Sequence, residues 1–239
     1  MHEAVEEDMF AYASLNAFFT RALKPECRPF DKDENNWLCP VDGSVSQAQA
    51  IKDGRIFQAK GQDYSLLELV GGDKKLEATF NNGQFATLYL SPRDYHRIHM
   101  PTTGTLKHML YIPGRLFSVA TSVVNHIPRL FARNERVVCY FETEQGPMAM
   151  ILVGAINVSA IETVWHGLIT GEARKTRRFD YNDNNIVLNR GDEMGRFNLG
   201  STVIVLATDK MKIDETMTAE AEIKLGRCLA APQIQGNSD

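Results

Sequence analysis

From Phe85 onward the chain is built of strand-length apolar runs. Phe85 to Leu90, Leu106 to Tyr111, Arg136 to Phe141, Met148 to Val153, Asn157 to Trp165 and Thr202 to Ala207 are rich in β-branched or aromatic residues. Asn82-Gly83, Pro113-Gly114 and Gln145-Gly146-Pro147 supply turn chemistry between several of them. The first part of the chain has a different pattern. Phe10, Leu15, Phe18, Phe19 and Leu23 are spaced closer to a helical than to an alternating period, which predicts an amphipathic helix from about Glu7 to Leu23, ended before Pro25. Val41 to Ala50 and Arg55 to Lys60 alternate on either side of Lys52-Asp53-Gly54 and predict a β-hairpin. Tyr64 to Val70 predicts a short helix with Ser65 as its N-cap and Gly71-Gly72 at its end. No repeat, low-complexity linker or change of composition divides the chain. The expected fold is therefore α+β: one β-rich domain over residues 1–239, of mostly antiparallel strands, with an N-terminal amphipathic helix laid against it.

Composition narrows the class of protein. At 239 residues, 44% apolar and 23% charged, the chain can bury a sizeable core. A net charge of -4 and the lack of a long basic run argue against nucleic acid as a partner. Cys27, Cys39, Cys139 and Cys228 are too dispersed for a disulfide framework and read as reduced thiols. The first residues are acidic and lack the basic and apolar regions of a signal peptide, and no segment approaches the roughly 20 apolar residues of a membrane span.

Three polar clusters and one junction are candidates for chemistry. Ser91 to Pro101 is bounded by prolines and carries His96 and His99 at a strand exit, where imidazoles suit proton transfer. A metal site there needs a third ligand, and neither His108 nor His126 offers a recognised spacing. Exposed loop histidines with structural hydrogen bonds are the plain alternative. Pro40-Val41-Asp42-Gly43 is by itself a turn, yet Asp42, His99 and Ser201 together supply the acid, base and nucleophile of a serine-type triad. Phe131 to Val137 sets Arg133 and Arg136 beside Glu135, either as an ion-pair network or as an anion-binding site. Leu199-Gly200-Ser201-Thr202 places a hydroxyl where a turn meets a strand, behind a glycine whose carbonyl is open to approach.

Taken in order, these segments resemble the phosphatidylserine decarboxylases. The resemblance rests on Pro40 to Gly43, Lys60-Gly61-x-x-Tyr64-Ser65-Leu66, Ser91 to Pro101, Phe131 to Val137, Glu162 to Trp165, Glu193 to Phe197 and Leu199 to Thr202, and runs from about Leu15 to Leu229. It implies that Asp42, His99 and Ser201 form a self-processing triad and that His96 is the second active-site histidine, a proton donor. It further implies that His99, oriented by Asp42, helps Ser201 Oγ attack the Gly200 carbonyl. The resulting ester breaks by β-elimination, giving chains of residues 1–200 and 201–239. The shorter chain would begin with a pyruvoyl group made from Ser201, which serves as cofactor in place of pyridoxal phosphate, with no metal. Its ketone would form a Schiff base with the serine amine of phosphatidylserine and accept the electrons left as carbon dioxide departs, yielding phosphatidylethanolamine.

The partners so implied are phosphatidylserine in a membrane surface, the two chains of one precursor, and a second copy in a candidate homodimer. The expected location is peripheral, on the cytoplasmic face of a bacterial cell membrane. Longer family members carry an additional N-terminal segment that associates with the membrane. Here Phe10, Phe18 and Phe19 could either enter the interface or pack in the core, with Glu3, Glu6, Glu7 and Asp8 opposing anionic lipid. Arg133 and Arg136 are candidates for holding phosphate or carboxylate. Two other functions fit part of the pattern: a serine hydrolase with Ser201 as a lasting nucleophile, although no G-x-S-x-G surrounds it, and a lipid-binding homologue that does not process itself.

Overall fold

The run Val203-Ile204-Val205-Leu206 lies within a central strand of a nine-stranded sheet in the computed structural model, which describes residues 1–59, 61–155, 160–170, 175–198 and 201–233. Among these residues the sheet order is Arg177–Asp180, Gly104–Ile112, Arg136–Thr143, Gly146–Val153, Ser201–Ala207, Gln84–Leu90, Gly43–Ala50 and Glu222–Ile223, with Val187–Leu188 also paired to Gly104–Ile112. All of these ladders are antiparallel. Val203 to Leu206 are all buried, which explains why the run is continuously apolar instead of alternating. A second, four-stranded sheet of order Gly167–Thr170, Ala160–Thr163, Glu193–Phe197 and Arg97–His99 stands beside it. The predicted strands from Phe85 onward are present with small extensions. The exception is that from Asn157 to Trp165, which is described as Ala160–Thr163: Val164 and Trp165 lie in the turn that follows, and Asn157 lies outside the described residues.

Two local predictions fail for identifiable reasons. The amphipathic helix over Glu7 to Leu23 is only Leu15–Phe19. Upstream, the Glu6 and Asp8 carboxylates accept from the Asp8 and Phe10 amides, and the Tyr12 hydroxyl donates to the Glu6 carbonyl, so local side-chain bonds replace helical ones. Ser14 then starts the helix as a true N-cap, its hydroxyl accepting from the Ala17 amide at 3.1 Å. Downstream, Leu23 bridges Ala4, which draws the chain out of the helix. The second failure is the hairpin. Lys52-Asp53-Gly54 does turn, with Asp53 and Gly54 at φ 50° and 66°, but only the Lys52 to Arg55 bridge follows. Gly43–Ala50 pairs with Gln84–Leu90, and Arg55–Ala59 pairs with Gln62–Ser65. The short helix is Leu66–Leu69, with Ser65 in the N-cap position but without a side-chain capping bond.

These pairings gather the candidate chemistry at one end of Gln84–Leu90. On one side Leu90 is opposite the main chain of Ser201; on the other Tyr89 is opposite Ser44, just after Asp42-Gly43. Only glycine fits at 43, since a Cβ there would stand 2.1 Å from the Tyr89 carbonyl oxygen. From the same end the chain passes through Ser91 to Asp94 into Arg97–His99. Glu193–Phe197 pairs with that strand and leads back to Ser201. The segment before Ser201 thus joins the two sheets.

Candidate active site

Three turns and a strand position the polar groups. The Asp94 carboxylate accepts from the Ser91 amide at 2.7 Å and closes the turn after Leu90. The Asp94 carbonyl accepts from His96 Nδ1 at 2.8 Å. Because a carbonyl can only accept, Nδ1 carries the proton and neutral His96 presents a bare Nε2. That nitrogen is buried and has no hydrogen-bond partner among the described residues. The imidazole packs against the Phe19 ring at 4.0 Å, and the His96 carbonyl accepts from the Phe197 amide. Asn16, on the same helix as Phe19, donates to the Asn198 side chain at 3.1 Å, so Leu15–Phe19 braces the approach to residue 201. Of the aromatics offered to a bilayer, Phe19 is therefore core, Phe18 is half-buried against Tyr12 and Arg21, and Phe10 is 87% exposed; Leu15, on the same helix as Phe19, is 74% exposed.

His99 is held at both nitrogens. Nδ1 donates to the Gly191 carbonyl at 2.8 Å, which leaves Nε2 to accept from the Tyr95 hydroxyl at 3.0 Å. Burial lowers the His99 pKa, against opposing contributions from the Gly191 hydrogen bond and Glu193. Asp42 was expected to orient His99, but its carboxylate is used elsewhere. It accepts from Arg28 Nε at 2.9 Å and from the Leu225 amide at 2.9 Å, pairs also with Arg28 Nη2, and lies 3.7 Å from Lys224 Nζ. Arg28 in turn holds Glu3, and the two carboxylates raise its already high pKa. Asp42 therefore makes no direct hydrogen bond to His99 and reaches that ring only as a charge felt through space.

Ser201 enters the site through its main chain, paired with Leu90; Leu199 and Gly200 lie outside the described residues, as does Lys60. Arg136 must be withdrawn as a headgroup ligand. It is 2% exposed and donates to the carbonyls of Leu69, Asn134 and Glu68 at 2.7, 2.8 and 2.6 Å, a clamp between strand and helix. Burial lowers its pKa to about 10, so it stays protonated at neutral pH. Arg133 is exposed, donates to the Pro128 carbonyl and stacks over Phe117 at 4.7 Å. Neither pairs with Glu135 among the described residues; that carboxylate accepts from the Tyr111 hydroxyl. Sequence reasoning missed Arg28, Gly191 and Tyr95 as parts of the site. Tyr95 alone carried a signal, from its place between Asp94 and His96.

Buried imidazoles also set an acid limit on stability. Burial holds His96 and His108 at about 4 instead of 6.5. Below 6.5 the unfolded chain binds protons that the folded one refuses, so stability is full above that pH and falls as pH drops toward 4. Each histidine should cost about 2 kcal/mol by pH 5. Urea unfolding at pH 7 and pH 5 measures this; equal midpoints would refute it.

Comparison with known proteins agrees with the geometry. Residues 15–231 match the family model described as phosphatidylserine decarboxylase. The phosphatidylserine decarboxylase proenzymes of Pseudomonas putida strain W619 and Pseudomonas entomophila strain L48 are each 55% identical over 236 residues, which is 97% of this chain and 82% of theirs. That of Pseudomonas aeruginosa strain LESB58 is 54% identical over 237 residues, or 98% of this chain and 82% of its own. A match over nearly the whole chain, at more than half identity, places it in the phosphatidylserine decarboxylase family.

Proposed function

We propose that this chain is a carboxy-lyase that converts phosphatidylserine to phosphatidylethanolamine after cutting itself between Gly200 and Ser201. What supports this above all is the gathering of Asp42, His96, His99 and the Ser201 main chain at one end of Gln84–Leu90, in a chain 55% identical to relatives named proenzymes.

In the processing step Ser201 Oγ attacks the Gly200 carbonyl carbon while His99 Nε2 takes the hydroxyl proton. Neutral His99, with its proton held on Nδ1 by Gly191, is in the form this requires. The carboxylate of Asp42 stabilises the imidazolium through space. Collapse moves the acyl group from nitrogen to oxygen. Loss of the Ser201 α-proton then expels the Gly200 carboxylate, and water replaces the nitrogen as ammonia leaves, giving a pyruvoyl group. Residues 1–239 thus act as one catalytic domain made of two chains, 1–200 and 201–239.

The fit to such a group rests on the orphaned His96 Nε2, a buried acceptor on a residue whose carbonyl holds the Phe197 amide, four residues ahead of Ser201. When present, the pyruvoyl ketone would supply an electron sink for the pair left by the departing carboxylate. The protein would manage the protons. His96, neutral and bare at Nε2, can donate only after it is loaded; it would take a proton from the substrate ammonium and return it to the carbon that loses carbon dioxide. Among the described residues no helix is long and apolar enough to cross a membrane. We assign bilayer contact to the exposed Phe10 and to the exposed Leu15, which shares its helix with the Phe19 that packs on His96, making the attachment peripheral.

Denaturing mass spectrometry of freshly expressed protein tests the cleavage. The expected result is two chains divided after Gly200, the shorter lighter by one ammonia than a serine-ended peptide. A single intact chain in an active preparation would refute it and favour a serine hydrolase. His96→Asn keeps an amide donor for the Asp94 carbonyl but deletes Nε2. It should process normally and lose about 10²-fold or more in decarboxylation. Loss of cleavage instead would move His96 into the processing step.

A further inference from the structure

The Asp42 carboxylate is occupied by Arg28 and the Leu225 amide, so the orientation of His99 must come from other groups. We propose that Tyr95 is a positioning residue for His99, its hydroxyl holding Nε2 while the Gly191 carbonyl holds Nδ1. The inference rests on the reading of His99 as the processing base.

Tyr95 is 5% exposed, its ring stacks on the imidazole at 5.7 Å and 29°, and its hydroxyl lies 3.0 Å from Nε2. Two partners at opposite nitrogens exclude both the flipped ring and the other tautomer. Gly191 accepts and therefore needs Nδ1–H; Tyr95 donates and therefore needs a bare Nε2. Each partner enforces the state in which Nε2 can take a proton. Burial pushes the Tyr95 phenol well above its ordinary pKa, so it remains a donor across the working range. Gly191 itself stands at φ 86°, where a Cβ would meet the Phe30 ring at 2.2 Å, so its carbonyl is well anchored.

The pair opens on a cavity of about 440 Å³ whose lining includes Leu23, Lys24, Arg28 and Phe30. The attacking hydroxyl would displace the phenol from Nε2, exchanging one O–H···N bond for another of the same kind. Such an exchange costs little, whereas a bare Nε2 open to water would be free to protonate. The charged groups around the ring are Glu193, Arg97 and Asp42, with Lys24 and Arg28 on the cavity wall. Glu193 is paired with Arg97 and Arg196 and Asp42 with Arg28, so the phenol is the neutral contact of the base.

A donor to Nε2 stabilises neutral imidazole and holds its pKa down. Tyr95→Phe keeps the ring and removes the donor. In the uncleaved Ser201→Ala background, the His99 resonances in histidine-labelled protein should then titrate about half to one pH unit higher. With Ser201 present, the acid limb of the cleavage rate should move up equally, and cleavage at pH 7 should slow about 2- to 10-fold. Incorporating 3-fluorotyrosine at position 95 gives a stronger donor in the same shape and should move the His99 midpoint down. That arm also covers the case in which Tyr95→Phe fails to fold. A midpoint unchanged by either replacement, or moved the other way, overturns the proposal. His99→Gln separates the two ideas. If that variant cleaves at the wild-type rate, His99 is not the base. If it does not cleave while the Tyr95 variants keep the wild-type profile, only the role of Tyr95 falls.

Discussion

Ser201→Ala is expected to remain a single 239-residue chain with decarboxylation at the uncatalysed background. In the proposed mechanism the residue is needed twice: its oxygen attacks the Gly200 carbonyl, and its carbon skeleton becomes the ketone. Alanine can do neither, and His99 without a hydroxyl has no proton to take. The main-chain pairing of residue 201 with Leu90 uses groups that alanine keeps, so unfolding should shift by no more than about 0.5 kcal/mol. The variant thereby separates chemistry from folding. Mass spectrometry of the denatured protein and release of carbon dioxide from phosphatidylserine vesicles are the readouts. Cleavage after Gly200 in this variant would end the proposed mechanism; an uncleaved variant that still decarboxylated would remove the pyruvoyl group from it.

Asp42→Ala should both stop cleavage and destabilise the fold by about 3–5 kcal/mol, the cost typical of breaking a buried ion pair from one side. Asp42 is 3% exposed and Arg28 8%, and the aspartate also accepts from the Leu225 amide. Removing it leaves a buried guanidinium with Glu3 as its remaining carboxylate and an amide with no acceptor. The double change Arg28→Met, Asp42→Leu distinguishes the structural contribution from the chemical one. Two well-packed apolar residues should recover most of the stability, because neither charge is then stranded. They should not recover cleavage, because the negative charge near His99 is gone. Urea unfolding together with the extent of cleavage reads both effects. A double variant that cleaves would make Asp42 purely structural; a single variant losing under about 1 kcal/mol would mean that the pair is solvated in solution.

The local patterns were legible where burial is two-sided or a cap is unambiguous. The apolar run after Ser201, the strands from Phe85 to Val153 and the helix before Gly71-Gly72 depend on side chains within a few residues of one another. The hairpin at Lys52-Asp53-Gly54 was half legible: the turn formed, but its strands took other partners, since pairing is decided by which surfaces the whole fold buries. The N-terminal helix was over-extended because apolar spacing cannot weigh the Glu6 and Asp8 carboxylates that capture nearby amides.

For the site, residue types alone offered Asp42 as a turn, His96 and His99 as loop imidazoles and Ser201 as a junction hydroxyl; it was the resemblance carried by the local motifs around them that joined the four into one proposed site. Their partners are not local. That Arg28 satisfies Asp42, that Gly191 and Tyr95 hold the two nitrogens of His99, and that Arg136 is spent on three carbonyls all depend on strands and loops far apart in sequence. Residue types and spacings thus determine which reactive groups exist and roughly which strands carry them. Their charge state, tautomer and availability are decided by burial and by hydrogen bonds between distant segments, which only the folded chain brings within 3 Å.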